Sequence, residues 1–480
     1  MKLYINKLKK KSLDFLCNYI CLLKLFFLVV IACPLISFAA VSVGIGKTDI
    51  TPSIGTPSAG YAERKGEGMV GIHDPLLAIA LFIDNGEKQI VLCSVDHLGF
   101  TYEMVQEITQ KVHAYSELKA CEIFIASSHT HSGGGAYLNI PTLGEGLAEV
   151  YSPDTTQFYV DRTVDAIFQA YHNQTLAKIG IGYGKAGALS QYRGLWPKDV
   201  LPLDDVTVIK VTSLDDAPLA VLFNYPVHPT VLGSQNRLFS SDFVGYARDY
   251  LHVFLEGVQP IYFNGAQGDI IPIIFNESNR FEACDNLGKS LAETVREIWD
   301  TIVADDVLQI DIQKDFYAFK PQATPFGLAL PIDLYKSEMN LIVFNQAHAF
   351  ITVPGELSCF YDRCLKEYGN KLGFSHVSIF GLTNDAHGYI ILPESWQHKT
   401  LESGFSFGGE NYGDAMKKRA EILLFRKSCS RCEFFEGKFT IEKLCCYTFF
   451  YVWKRLPMAN AQGYYKTGLQ PANYTLTERT

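Results

Sequence analysis

The segment Ser128-His129-Thr130-His131-Ser132-Gly133 directly follows the apolar run Cys121-Glu122-Ile123-Phe124-Ile125-Ala126. Two imidazoles one residue apart, at a strand end and before a glycine run, can present two nitrogen donors to a cleft. That arrangement suits a metal ion or an acid/base pair better than it suits packing. A His-x-His pair alone is common, and it gains weight only where other donors join it. Here they recur beyond other apolar runs: His228 after residues 219–225, Asp269 after 260–263, Glu356 after 348–353 and Tyr389 after 377–382. Each has a bland alternative. A histidine before proline serves a turn, a glutamate after Pro-Gly opens a helix, and a tyrosine beside isoleucines packs. Five coincidences at strand ends are less bland than one. Two histidines, a carboxylate and a phenol form a donor set for Zn²⁺, which polarises a carbonyl and acidifies water. The residues by themselves thus reach amide or ester hydrolysis.

The elements that must position these donors follow from periodicity. Strands over 77–83 and 89–95 flank Asn85-Gly86, a hairpin signal. Helical spacing covers 102–114, 155–173 and 287–301, and a further helix follows Glu356 to about residue 368. Strand-length apolar runs cover 121–126, 206–211, 219–225, 260–263, 348–353 and 377–382. The fold class is therefore α/β: mixed β-sheets flanked by helices, with a metal site at the C-terminal ends of strands. In open α/β sheets that edge is where ligands bind.

The chain has 480 residues, 48% apolar and 13% aromatic, enough for a sizeable core. Residues 1–39 read as a signal peptide: Lys7, Lys9, Lys10 and Lys11 precede an apolar stretch that ends in Ser37-Phe38-Ala39. A cleaved signal, with a secreted or periplasmic destination, is favoured over an uncleaved anchor. A lipoprotein box at Val30-Ile31-Ala32-Cys33 is disfavoured by Pro34. Removing residues 1–39 takes away six lysines and one aspartate, leaving 36 basic and 50 acidic residues and a charge of −14. Such an acidic exported protein is a poor partner for nucleic acid. Gly46-Lys47-Thr48 ends like a phosphate-binding loop, but Val41 stands where its first glycine should be.

Twelve cysteines are spread unevenly, and those of the body, Cys93, Cys121, Cys284, Cys359 and Cys364, read as buried small apolar residues. Residues 415–480 hold twelve Lys/Arg against five Asp/Glu and carry Cys429, Cys432, Cys445 and Cys446. We therefore divide the chain into a signal (1–39), a catalytic domain (40–415) and a basic, cysteine-rich tail (416–480). In the tail, disulfides or disorder are favoured over zinc, and the aromatic run 444–453 reads first as an edge segment packed on the body, ahead of a docking strand or a peripheral membrane contact.

The chain resembles the neutral/alkaline ceramidase family of zinc amidohydrolases. The resemblance rests on ordered segments across residues 42–415: Val43-Gly44-Ile45-Gly46-Lys47-Thr48-Asp49-Ile50-Thr51-Pro52, Gly60-Tyr61-Ala62, Gly71-Ile72-His73-Asp74-Pro75-Leu76, the Ser-His-Thr-His-Ser-Gly segment, Asn224-Tyr225-Pro226-Val227-His228-Pro229-Thr230, Ser241-Asp242 with Gly245-Tyr246-Ala247, Val353-Pro354-Gly355-Glu356, and Gly381-Leu382-x-Asn384 with Tyr389. It implies that His129, His228, Glu356 and Tyr389 ligate zinc. It further implies that His131 is a second-sphere or acid/base residue, that Arg193 lies on the substrate side, and that Asp269 organises the loop under the metal. The implied reaction splits an N-acyl amide, such as that of ceramide, into a fatty acid and an amine.

Two departures stand out. Where the family has Gly-Asp-Val-Ser-Pro this chain has Gly268-Asp269-Ile270-Ile271-Pro272, so Ile271 replaces a serine that has been assigned a nucleophilic role. An isoleucine can neither attack nor donate a hydrogen bond, which favours direct attack by water activated at the metal. The short tail also leaves little room for the family's β-sandwich module. Alternatives are a zinc hydrolase of another amide or ester, and a catalytically silent metal-binding homologue.

Overall fold

A computed structural model of the chain describes residues 40–139, 151–194, 201–275 and 278–433. The signal segment and most of the tail lie outside these residues. In chain order the strands are β1 (Ser42–Asp49), β2 (Gly71–Ile72), β3 (Leu77–Asp84), β4 (Gln89–Val95), β5 (Glu122–Ser127), β6 (Thr175–Lys185), β7 (Ser190–Tyr192), β8 (Asp205–Ser213), β9 (Pro218–Tyr225), β10 (Leu238–Phe239), β11 (Gln259–Asn264), β12 (Ile270–Pro272), β13 (Ile310–Phe319), β14 (Tyr335–Phe344), β15 (His348–Val353), β16 (Glu356–Leu357), β17 (His376–Gly381) and β18 (Tyr389–Ile390). The helices are α1 (Tyr102–His113), α2 (Pro153–His172), α3 (Phe243–Phe254), α4 (Arg280–Thr301), α5 (Cys359–Lys371), α6 (Pro393–Gln397) and α7 (Tyr412–Glu433).

Two sheets stack face to face. The larger has the order β11-β9-β8-β6-β1-β3-β4-β5 and the smaller β13-β14-β15-β17. Both are mixed: β9/β11, β4/β5 and β15/β17 are parallel pairs, and the other neighbours within these two sheets run antiparallel. Leu81, Leu92, Phe124 and Leu222 of the large sheet meet Ile342, Phe350 and Phe380 of the small one in a central apolar layer. Each such Phe or Leu contributes about 1.5–3 kcal/mol by leaving water. On the outer face of the large sheet α1 and α2 cover one half and α3 and α4 the other, while α5 and α7 cover the small sheet. The result is a four-layer α/β/β/α sandwich, as the α/β reading with helix-flanked mixed sheets expects.

Local chemistry explains the joints. At the β3–β4 hairpin the Asn85 side-chain oxygen accepts from the Glu87 and Lys88 amides, and Gly86 takes φ 82°. Glycines in β1 serve packing rather than phosphate binding. A Cβ at Gly44 would lie 1.9 Å from the Ala170 carbonyl oxygen, and one at Gly46 2.0 Å from that of Ala166. Only glycine lets α2 sit this close to β1. Strand β5 is buried on both faces between two apolar layers, so its sequence is a continuous apolar run rather than an alternation.

Two expected boundaries move. Helix α4 starts at Arg280, seven residues before the expected 287, because Asn279 caps it by accepting from the Glu282 amide. Helix α7 crosses the boundary placed at 415, and its Met416, Ala420, Leu423 and Leu424 are buried in the domain core. The packed domain therefore runs past that point. Cys93, Cys121, Cys284 and Cys359 are buried free thiols, as read from sequence, and Cys364 is half-buried. Among the described residues no helix is long and apolar enough to cross a membrane.

Candidate metal centre

The donors named from sequence converge where parallel strand pairs of both sheets end. His129 follows β5, His228 follows β9, Glu356 follows β15 and Tyr389 follows β17. Two-residue strands β16 and β18 pair in parallel, placing Glu356 directly beside Tyr389. His129 takes φ 71°, a left-handed backbone that costs energy for any residue with a Cβ. The turn is held by its amide on the His97 carbonyl. Such strain at a strand end turns the imidazole back toward the other donors.

Glu356 is central to the group. Its Oε2 lies 3.2 Å from His129 Nε2 and 2.9 Å from His228 Nε2. His131 Nε2 is 3.3 Å from His129 Nε2, and the Tyr389 hydroxyl is 3.4 Å from His228 Nε2. The three histidines bring potential ligand atoms within 4.8 Å of one another. Each imidazole is also fixed from behind. Nδ1 of His129 faces the Leu98 carbonyl at 2.6 Å, that of His228 the Ile270 carbonyl at 3.0 Å, and that of His131 the Gly60 carbonyl at 3.2 Å. A carbonyl only accepts, so the proton is assigned to Nδ1, and all three Nε2 lone pairs point inward. Three inward lone pairs, a carboxylate and a phenol oxygen are a donor set that fits a divalent metal such as zinc.

Burial dominates the electrostatics. It lowers the His131 pKa well below the ordinary imidazole value, with His129 and His228 adding to the effect. His228 is pushed down to about 4, first by burial and then by the Arg193 charge. Burial would raise the pKa of Glu356, but His129 and His228 outweigh it and hold the carboxyl well below its usual range. His131 and His228 are thus set as neutral imidazoles beside an ionised Glu356, states that suit ligation.

Arg193 joins the group from the loop after β7. Its Nη2 donates to the Tyr389 hydroxyl at 2.9 Å and to the Gly268 carbonyl at 3.0 Å, and lies 3.4 Å from His228 Nε2. Asp269 stands apart from the donors. Its carboxylate accepts from the Ser358 hydroxyl and, at 2.8 Å, from the Cys359 amide, just beyond Glu356. It ties down the loop that carries Glu356. Ile271 pairs with Gln191 between β12 and β7, while the carbonyl of Ile270 receives both the backbone amide and Nδ1 of His228. The segment around Ile271 therefore supports the site through its backbone.

Two contributors escaped the sequence reading. Gly60, seen there only as part of a motif, supplies the carbonyl for His131. It has φ 104°, and a Cβ on it would lie 2.5 Å from His131 Nδ1. Glu402, from a short 3₁₀ turn, accepts from Arg193 Nε at 3.0 Å. No apolar run precedes Glu402, so no pattern marks it.

The geometry is matched by kinship. Residues 41–294, just over half of the chain, match the family described as neutral/alkaline non-lysosomal ceramidase, N-terminal. The chain belongs to that family. It is 27% identical over 250 residues to a neutral ceramidase of Drosophila pseudoobscura pseudoobscura, covering 47% of this chain and 34% of that protein. It is 25% identical over 221 residues to neutral ceramidase A of Dictyostelium discoideum, covering 43% and 31%. These alignments span about a third of the relatives' length. The fold resembles that of the neutral ceramidase from Pseudomonas aeruginosa, with a TM-score of 0.72 at 17% identity, covering 81% of this chain and 75% of that one. His129, His131, Arg193, His228 and Asp269 lie within the family match, whereas Glu356, Tyr389 and Glu402 lie beyond it.

Proposed function

We propose that the chain is a zinc-dependent amidohydrolase that cleaves the N-acyl amide of ceramide-like lipids into a fatty acid and a sphingosine-type amine. Family membership supports the reaction class. The observation that carries the reading is the convergence of His129, His228, Glu356 and Tyr389 from four strand ends. In this reading these four residues hold the metal. A bound zinc supplies Lewis acidity, polarising the amide carbonyl and making water a usable nucleophile near neutral pH. His131, neutral and fixed through Nδ1, is placed to take a proton from that water at Nε2 and return it to the leaving amine. Arg193 keeps its charge because Tyr389, Glu402 and Glu356 together outweigh the effect of its burial. It is positioned to stabilise negative charge developing on the carbonyl oxygen. Ile271 requires no role in this route, since water attacks directly. Residues 1–39 would direct export, so that the substrate is met outside the cytoplasm.

Purified protein incubated with labelled ceramide, with and without a chelator, tests the proposal. Chelator-sensitive release of fatty acid is expected, and no release by the zinc-loaded protein would sink the ceramide claim. The Ile271 replacement favours one second reading, a zinc hydrolase of another amide or ester. A panel of acyl amides and short esters separates the two, because only that reading predicts turnover without ceramide.

A further inference from the structure

Glu402 and Arg193 form a buried ion pair at the edge of the donor group. Their side chains are 5% and 18% exposed. The guanidinium reaches two of the proposed ligands, Tyr389 at 2.9 Å and His228 at 3.4 Å. A fixed positive charge so close to a metal site opposes the binding of a dication, and in a buried setting that opposition is poorly screened. Among the described residues Glu402 is the carboxylate paired with this guanidinium. The turn carrying it is keyed to the strand of Tyr389. Ser406 bridges to Gly388, and a Cβ at Gly388 would lie 2.1 Å from the Phe405 carbonyl oxygen. The Ser403 hydroxyl and amide both fasten on the Thr400 carbonyl, fixing the start of the turn.

We propose that Glu402 is a positioning residue of the metal centre: it neutralises Arg193 and holds Nη2 on the Tyr389 oxygen, so that a divalent cation can bind beside a buried guanidinium. The proposal rests on the zinc-centre reading above. It differs from a merely structural role in one respect, because the harm done by losing Glu402 comes through Arg193. Removing Arg193 as well should undo it.

The test is a double-mutant cycle read by zinc affinity, measured by chelator competition on folded full-length protein. Glu402→Ala should weaken zinc binding about 10–100-fold, the usual effect of losing an outer-sphere partner. Glu402→Gln, which keeps the hydrogen bond but not the charge, should fall between it and the wild type. Should Glu402→Ala not fold, the cycle runs with Glu402→Gln. The pair Arg193→Met/Glu402→Ala should bind zinc within about threefold of Arg193→Met alone. Wild-type affinity in Glu402→Ala, or equal losses from Glu402→Ala in both backgrounds, would overturn the inference while leaving the zinc centre intact. A wild type that takes up no zinc would instead overturn the reading on which it rests.

Discussion

The molecule holds two groups of neighbouring histidines at opposite ends of its strands, and only one of them is gathered around a carboxylate. At the C-terminal ends His129, His131 and His228 surround Glu356. At the N-terminal ends of β15 and β17, His348 and His376 face each other across the parallel pair. There, His348 Nδ1 meets the Tyr183 hydroxyl, and the Tyr183 ring stacks on His376 with centroids 3.6 Å apart. Among the described residues no carboxylate pairs with either. Burial pushes His376 down to about 4, as it does His228. A depressed imidazole pKa therefore does not mark a site. What marks it is what the ring nitrogens face: one another and a shared carboxylate at the centre, a tyrosine hydroxyl at the other end.

That contrast can be broken at its sharpest point first. Replacing His131 by Gln should lower kcat about 10²–10⁴-fold, the range of a lost general base, while zinc content stays at the wild-type level. Unchanged kcat would remove His131 from the proton path. Next in size is Gly60→Ala. At φ 104° the new Cβ meets the His131 ring, so strain of about 1–3 kcal/mol and a displaced imidazole should follow. We expect kcat to fall by up to about 10²-fold with zinc retained, and a wild-type rate would show that His131 tolerates the shift.

The smallest effect belongs to the opposite end. His376→Phe keeps the stack on Tyr183 and should leave zinc content and kcat unaltered. It should instead change the pH profile of stability. The folded pKa of His376, about 4, lies below that of an unfolded imidazole, near 6.5. The unfolded chain therefore takes up this proton first, and stability present above pH 6.5 is lost as pH falls toward 4. In the variant, thermal melts across that window should slope less steeply. An identical slope would mean that His376 titrates equally in both states.

Much of the centre was legible in the sequence because its donors follow strands buried on both faces, whose apolar runs end abruptly at a polar residue. His129 and His228 are of this kind, and so are Glu356 and Tyr389. The sandwich itself was not legible. In strand β6, Gly180, Gly182 and Gly184 alternate with Ile179, Ile181 and Tyr183 and let Ile298 and Ile302 approach, so the face that meets those isoleucines carries no apolar side chain to mark it. Strand β13 sets Asp311, Gln313 and Asp315 on the face that α7 covers, where Lys427 pairs with Asp311 and Arg419 with Asp315, and β14 begins Tyr335-Lys336-Ser337-Glu338. Without β13 and β14 the second sheet cannot be inferred. Arg193 was reached only through resemblance, and its partner Glu402 not at all, because an ion pair 209 residues apart leaves no local trace.

The central claim is that Glu356 joins the histidines to hold a metal. Metal analysis of the purified wild type beside Glu356→Ala tests it most directly. About one zinc per chain in the wild type and its loss in the variant is the expected result. An unchanged zinc content in Glu356→Ala would contradict the account.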